Sequence, residues 1–278
     1  YDVTRATVHD ALRLGERIKL EAGVYAEYHG LYGLAAAPRA AVVAQLPASL
    51  TAKVLYGRGF RSPSIYERYY DDGDAVTGND DLRAETADVT ELALEKSLGG
   101  RSDVFLSAFH GEYRDLMILE TVDVDPSAGE ELRGRFANGG TARSSGATVA
   151  FQTRRDAWVL WMDATGFRHD EETVRASQGA PEWVAHAVAL VHLGDRVAIG
   201  ARASGVGTRP ARVAGERLDP YVLADLSVRV ALGGGLYARA SGNNLLAADS
   251  AQPASDEYSP DVIPGTGPRA FFEIRWEK

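Results

Sequence analysis

The 278-residue sequence contains no cysteine, so no disulfide, zinc–thiolate or iron–sulfur framework can hold it and no thiol nucleophile exists. No window approaches the 18 or so consecutive apolar residues of a membrane-spanning helix. An excess of positive charge is also missing. Lys and Arg number 30 against 39 Asp and Glu, a formal net charge of −9, and the basic residues are scattered, which excludes nucleic acid as the expected partner. The opening "YDVTRATVHDALRLGERIKLEAG" lacks an initiator Met, a basic start and an unbroken apolar core, so it is not a signal peptide and reads as the interior of a longer chain. Catalytic signatures are absent too: there is no G-x-S-x-G elbow and no G-x-x-x-x-G-K-[ST] loop, and "GRGFRS" lacks the third glycine of a dinucleotide site. No enzyme activity and no cofactor are expected.

What is present is alternation. In "RIKLEAGVYAEY", Ile18, Leu20, Ala22, Val24, Ala26 and Tyr28 share one face and Arg17, Lys19, Glu21, Gly23, Tyr25 and Glu27 the other. "YVLADLSVRV" and the last residues repeat the pattern. Such segments recur near residues 2–14, 17–28, 36–46, 50–60, 86–98, 102–117, 133–153, 157–168, 182–193, 196–205, 220–232, 236–244 and 268–278. Each is roughly the ten residues that a tilted strand needs to cross a bilayer.

The connections alternate as well. Tight turns ("LGER", "LPAS", "LGGR", "TRRDA", "LGDR", "LGGGL") exchange with longer links near 29–35, 61–85, 118–132, 169–181, 206–219 and 245–267. Short turns on one side and long loops on the other describe an outer-membrane barrel. Trp158, Tyr237 and Trp276 fall beside short-turn ends, and Tyr28, Tyr113, Trp183 and Tyr221 beside long-loop ends, as two interfacial girdles would. The fold class expected is all-β, an antiparallel transmembrane β-barrel. Thirteen strands exceed one sandwich, and an odd number does not suit a complete bacterial barrel, so residues 1–278 read as a partial barrel domain truncated at its N-terminus. On this reading Leu20, Val24, Leu226, Val228, Phe272 and Ile274 meet lipid, while Glu21, Glu27, Asp225, Arg229, Glu273 and Arg275 face the lumen.

With that architecture, "LYGRGFRSPSIYERYY" followed by "GNDDLRAETADVTELALEKSL" resembles the barrel of TonB-dependent outer-membrane receptors. Gly57, Gly59, Phe60, Arg61, Pro63 and Glu67 match the family's G-x-G/A-F-R-x-P-x-x-x-E pattern, and Asn79, Leu82, Glu85 and Glu91 its following N-x-x-L-x-x-E segment with a second Glu. "AFHGEYRDLMIL", "FANGGTARSSGATVAF", "GNNLLAADS" and the ending "IPGTGPRAFFEIRWEK" resemble later segments in the right order. Thr148 stands where the family usually has Glu, and Trp276 is followed by Glu277 and Lys278 instead of ending the chain. The resemblance implies about the last thirteen strands of a twenty-two-stranded barrel, with the plug domain and TonB box absent. It implies TonB-dependent uptake, across the outer membrane of a Gram-negative bacterium, of a scarce ligand such as a siderophore, another metal chelate, a cobalamin-like cofactor or a saccharide. The partners implied are outer-membrane lipid, the small-molecule ligand, and the TonB energy-transducing complex acting through a plug missing from this chain. A plug-less pore or adhesion barrel is the alternative, and it would require the strands to close on themselves.

Candidate ligand-binding residues lie in the first long loop: Arg61, Tyr66, Glu67, Arg68, Tyr69 and Tyr70 combine cations with aromatics, suited to anionic or catecholate-like ligands. The plainer reading is a solvated rim and interfacial belt. Asp71, Asp72, Asp74, Asp80 and Asp81 could offer oxygens to a hard cation but lack EF-hand spacing, so a hydrated acidic loop is expected. The six histidines form no metal-binding pair.

Overall fold

A computed structural model describes residues 2–73, 76–122, 133–170, 179–211, 216–254 and 261–276. The chain begins as a meander of β1 (Val3–Leu14), β2 (Ile18–His29), β3 (Gly33–Leu46) and β4 (Leu50–Arg61). Helix α1 (Ile65–Tyr69) and the short β5 (Val76–Thr77) precede β6 (Glu85–Leu98), β7 (Ser102–Val122), β8 (Arg133–Arg154), β9 (Trp158–His169), β10 (Trp183–Leu193) and β11 (Val197–Val206). The minor pair β12 (Arg209–Pro210) and β13 (Arg217–Leu218) leads to β14 (Tyr221–Gly233) and β15 (Leu236–Asn243). A second minor pair, β16 (Ala251–Pro253) and β17 (Val262–Pro264), leads to the last strand, β18 (Arg269–Trp276).

Thirteen of these strands form one continuous path, β1-β2-β3-β4-β6-β7-β8-β9-β10-β11-β14-β15-β18, with β5 added to β8. Each strand in the path pairs antiparallel with the next, which the tight turns enforce. β1 and β18 are the two edges, and they do not pair with each other.

The thirteen alternating segments coincide with these strands, with two corrections. The segment placed at 36–46 begins at Gly33, where φ of +78° completes a three-residue turn and lets His29 pair with Gly33, so the link at 29–35 shrinks to residues 30–32. The segment placed at 102–117 runs on to Val122, past a bulge at Asp115, whose φ is +56°. At about 3.3 Å per residue, the 21 residues of β7 extend about 70 Å, well beyond a bilayer.

The sheet has two unlike faces. On one, a single row of paired residues crosses seven strands: Leu20, Val42, Val54, Leu92, Ala108, Ala147 and Gly166. The row Val228–Ala240–Phe272 continues that face at the far end. On the other lie Lys53, Ala93, Ser107, Thr148 and Thr165. The apolar face is the uncovered one, with Phe272 at 71% and Ile274 at 62% exposure, whereas Ala93 and Ser107 on the polar face are buried. Among the described residues only Leu82, Ala93, Ala211 and Ala254 are buried apolar side chains. A wall without a hydrophobic core and with an oily exterior is unstable in water and matched to a bilayer.

Parity also sorts the aromatics. Tyr28, Trp158, Trp183 and Trp276 stand on the apolar face, where an interfacial girdle belongs. Tyr113, Tyr221 and Tyr237 share the parity of Ser107, Asp225 and Arg239 and stand on the polar face, where the Arg229 guanidinium lies 3.9 Å from the Tyr237 ring centre.

Candidate functional site

The long break after β4 is a folded structure. Ser64 and Glu67 have the S-x-x-E spacing of a capping box: the Glu67 N–H donates to Ser64 Oγ at 3.1 Å, and the Ser64 N–H donates to Glu67 Oε2 at 2.7 Å. Pro63, just before the cap, keeps Ser62 out of helical geometry and starts the helix cleanly. The single turn α1 then ends at Tyr70, whose N–H reaches the Tyr66 carbonyl at 3.0 Å.

Arg61 holds this turn to the barrel rim. Its Nε and Nη2 meet the two oxygens of Glu85 at 2.7 and 2.8 Å, and its Nη1 reaches both oxygens of Glu67 at 2.9 and 3.1 Å. Glu85 also accepts the Met117 N–H at 2.7 Å. One guanidinium thereby joins β4 to α1 and β6, and through Glu85 to β7. Burial pushes the Glu67 carboxyl up, but hydrogen bonds from the Ser64 backbone and hydroxyl and from Arg61 outweigh it and hold Glu67 below the ordinary carboxylate value.

Arg68 holds the loop from inside. It is buried, with Nη1 donating to the Leu82 carbonyl at 3.0 Å and Nη2 to the Asp80 carbonyl, and Leu82 is itself buried. The returning chain passes so close that a Cβ at Gly78 would lie 2.5 Å from the Arg68 carbonyl oxygen, which only glycine avoids. Asn79 then ties the loop to β8: its N–H donates to the Glu67 carbonyl at 3.0 Å and its Nδ2 to the Phe136 carbonyl at 2.9 Å. Asn138 completes the knot, exchanging bonds of 2.7 and 3.0 Å with the Arg83 backbone and donating to the Asp115 carbonyl at 2.7 Å. Arg83 pairs with the Asp115 carboxylate at 2.7 Å. Asp115 is the bulged residue, so the bulge aims both groups at the loop.

The six candidates therefore separate. Arg61, Glu67 and Arg68 are engaged in internal contacts, while Tyr66, Tyr69 and Tyr70 are exposed at 51%, 51% and 40%. Tyr66 stacks on Tyr70 at 4.4 Å and meets Phe136 edge-on at 5.8 Å; the Arg68 guanidinium lies 5.5 Å from the Tyr69 ring centre. Sequence reasoning left Glu85, Asp115, Phe136 and Asn138 out of the site, although all four lie in the segments that carry the resemblance. In the acidic stretch, Asp71 accepts the Gly73 N–H and Asp72 the Val76 N–H, at 2.8 and 2.9 Å, so both carboxylates cap backbone. Asp74 lies outside the described residues. No three His, Asp or Glu side chains gather as metal ligands among the described residues.

An unbroken antiparallel wall, apolar outside and polar inside, with folded long loops at one end, defines an outer-membrane β-barrel. The chain belongs to the TonB-dependent receptor family: residues 2–245 match the family described as "TonB dependent receptor-like, beta-barrel". It therefore resides in the outer membrane of a Gram-negative bacterium, in a family of receptors and not of enzymes. An iron-regulated outer membrane virulence protein of Vibrio cholerae serotype O1 is 32% identical over 113 residues, which are 39% of this chain and 17% of that protein. A variant of the ferric enterobactin receptor of Pseudomonas aeruginosa, solved with enterobactin, superposes on 97% of this chain and 44% of its own, with a TM-score of 0.77 at 18% identity. The siderophore receptor PirA of Acinetobacter baumannii superposes on 97% of this chain and 45% of its own, with a TM-score of 0.77 at 14% identity. The chain thus spans less than half the length of these solved receptors.

Proposed function

We propose that this chain is the partial barrel, residues 1–278, of a TonB-dependent transporter that takes up iron as a siderophore chelate, with Arg61, Tyr66, Glu67, Arg68, Tyr69 and Tyr70 forming part of its external ligand site. The observation that carries this reading is the division within that loop: three exposed tyrosines are presented by a turn that Arg61, Glu67 and Arg68 hold still. Rigid aromatic platforms with phenol hydroxyls suit a large, flat or anionic metal chelate, because little side-chain entropy is lost on contact. The names of the similar proteins, iron-regulated, ferric enterobactin and siderophore receptor, support iron over a saccharide or cobalamin-like cargo. Energy would come from the TonB complex acting on a plug encoded outside these residues. A pore made of these strands alone is disfavoured, since the unpaired edges of β1 and β18 would leave backbone groups unsatisfied in lipid.

The test is uptake of radiolabelled iron–siderophore complexes by a receptor-deleted strain carrying the complete reading frame, with and without a functional TonB. Uptake that needs TonB and falls at least about tenfold in affinity when Tyr66, Tyr69 and Tyr70 are all replaced by Ala is the expected result. Transport of cobalamin or a saccharide in place of iron would overturn the iron assignment, and uptake indifferent to TonB would overturn the mechanism.

A further inference from the structure

Asp and Glu are concentrated where the chain leaves the membrane. The five long links at residues 61–85, 118–132, 169–181, 206–219 and 245–267 hold 21 of the 39 carboxylates but only 7 of the 30 Lys and Arg residues, a net charge of −14. The remaining residues, strands and tight turns, carry +5. The loop end is therefore strongly acidic, although the wall beneath it is slightly basic.

Beside the exposed tyrosines the few cations are already engaged. Arg61 serves Glu67 and Glu85, the Arg68 guanidinium is buried against the Leu82 and Asp80 carbonyls, and Arg83 pairs with Asp115. Arg135 meets Asn79 Oδ1 at 3.3 Å and stands opposite Glu120 in the register of β7 and β8. Four exposed carboxylates border the tyrosines on two sides. Asp71 and Asp72 follow Tyr70 directly, and Asp80 and Asp81 lie just past Asn79, whose N–H is bonded to the Glu67 carbonyl of α1. The backbone N–H groups that Asp71 and Asp72 accept leave their charge in place.

We infer that the metal chelate selected by this site carries no net negative charge: a neutral ferric trihydroxamate fits it and a triply anionic ferric tricatecholate does not. The inference rests on the reading of the tyrosine loop as part of a chelate site, and it decides between the flat and the anionic cargo that the rings alone would admit. An acidic mouth with low-dielectric walls focuses its field, raising the local concentration of cations and lowering that of anions. The rings act in the same sense, because the face of an aromatic ring is its negative pole and attracts cations or apolar groups. Anions are gripped by guanidinium forks, and each fork named here is held by an acceptor of the protein itself.

The experiment is calorimetric titration of the receptor, expressed from its complete reading frame and held in neutral detergent, with two hexadentate Fe(III) complexes built on one tripodal scaffold. One has hydroxamate arms and is neutral; the other has catecholate arms and is triply anionic. The neutral complex should bind at least roughly thirtyfold more tightly at about 0.1 M salt, and raising salt to about 0.5 M should strengthen the anionic complex severalfold with little effect on the neutral one. D80N/D81N removes two charges and keeps the Asp80 carbonyl that Arg68 holds, so it should improve the anionic complex roughly fivefold relative to the neutral one. Heat-modifiable gel mobility checks insertion, and should the double variant fail to fold, the salt dependence of the wild type decides. Equal or tighter binding of the anionic complex overturns the charge selection and leaves the chelate site standing. Binding of neither complex, or binding indifferent to Y66A/Y69A/Y70A, overturns the reading of the loop itself, and the inference falls with it.

Discussion

Arg61, the last residue of β4, grips Glu85, the first residue of β6, through two parallel hydrogen bonds of 2.7 and 2.8 Å, and the described residues between them are folded onto that clasp. The pair closes the loop at its base, and the same guanidinium takes Glu67, so closing the base and seating α1 are one event.

Replacing Arg61 with Lys should undo both, because an ammonium cannot supply the two-pronged geometry. The side chain is half exposed, so the global cost is small, about 1 kcal/mol. The local effect is larger. Hydrogen exchange at Ser64, Glu67 and Asn79 should accelerate in R61K relative to wild type while the strands keep their protection; unchanged exchange at these amides would deny the clasp its role.

Acid should open the same loop. The folded-state carboxyl of Glu67 is held below its ordinary value, so its contribution to loop stability is complete above the unfolded value near 4.3 and is lost as pH falls through the folded one. Limited proteolysis between residues 62 and 84 should rise below about pH 4 in wild type. In E67Q it should already be elevated at neutral pH and should change less with acidification.

Arg68 and Gly78 should be intolerant for different reasons. Arg68→Met keeps most of the volume but strands the carbonyls of Asp80 and Leu82, at a cost of about 1–3 kcal/mol each if no water replaces the donor. Gly78→Ala forces its Cβ against backbone that cannot swing aside. Both variants should insert normally by heat-modifiable mobility yet lose ligand affinity. A crystal structure of either with the turn unmoved would refute this.

The two faces should differ in tolerance. Leu226→Arg and Ile274→Arg place a charge toward hydrocarbon and should cost about 2–4 kcal/mol near the midplane, whereas Glu273→Gln should cost little. Asp225 is a special case on the polar face, because its Oδ1 accepts the Asn244 N–H at 3.0 Å and Asn244 in turn pins the Ala248 and Thr266 carbonyls. Asp225→Ala should therefore loosen the following loop. Cysteine labelling is clean in a chain with no native thiol: positions 226 and 274 should prefer a lipid-soluble reagent and position 273 a water-soluble one.

Alternation made β2 and β14 legible from "RIKLEAGVYAEY" and "YVLADLSVRV", because a strand's two faces follow from local geometry and need no knowledge of the neighbours. The same locality made the tight turns readable and, with the ordered motifs, the barrel class. The lengths of β3 and β7 were less legible: "LAAAP" carries no polar partner face, and a bulge at Asp115 shifts the parity beyond it. Tyr113, Tyr221 and Tyr237 were assigned by nearness to a strand end, but only the register shows that they point inward. The candidate loop was found by composition, as a cluster of Arg and Tyr after a strand. Its internal division was invisible there, since Arg61 meets a partner 24 residues away and Asn79 one 57 residues away, and loop closure over such distances is decided by which strands the sheet brings side by side. By itself the sequence determined which residues form strands and which of their faces is oily. Only the tertiary structure decided which polar groups of the long break would be consumed in holding it and which tyrosines would be left at its surface, because that choice depends on the register of β6, β7 and β8 beneath the loop.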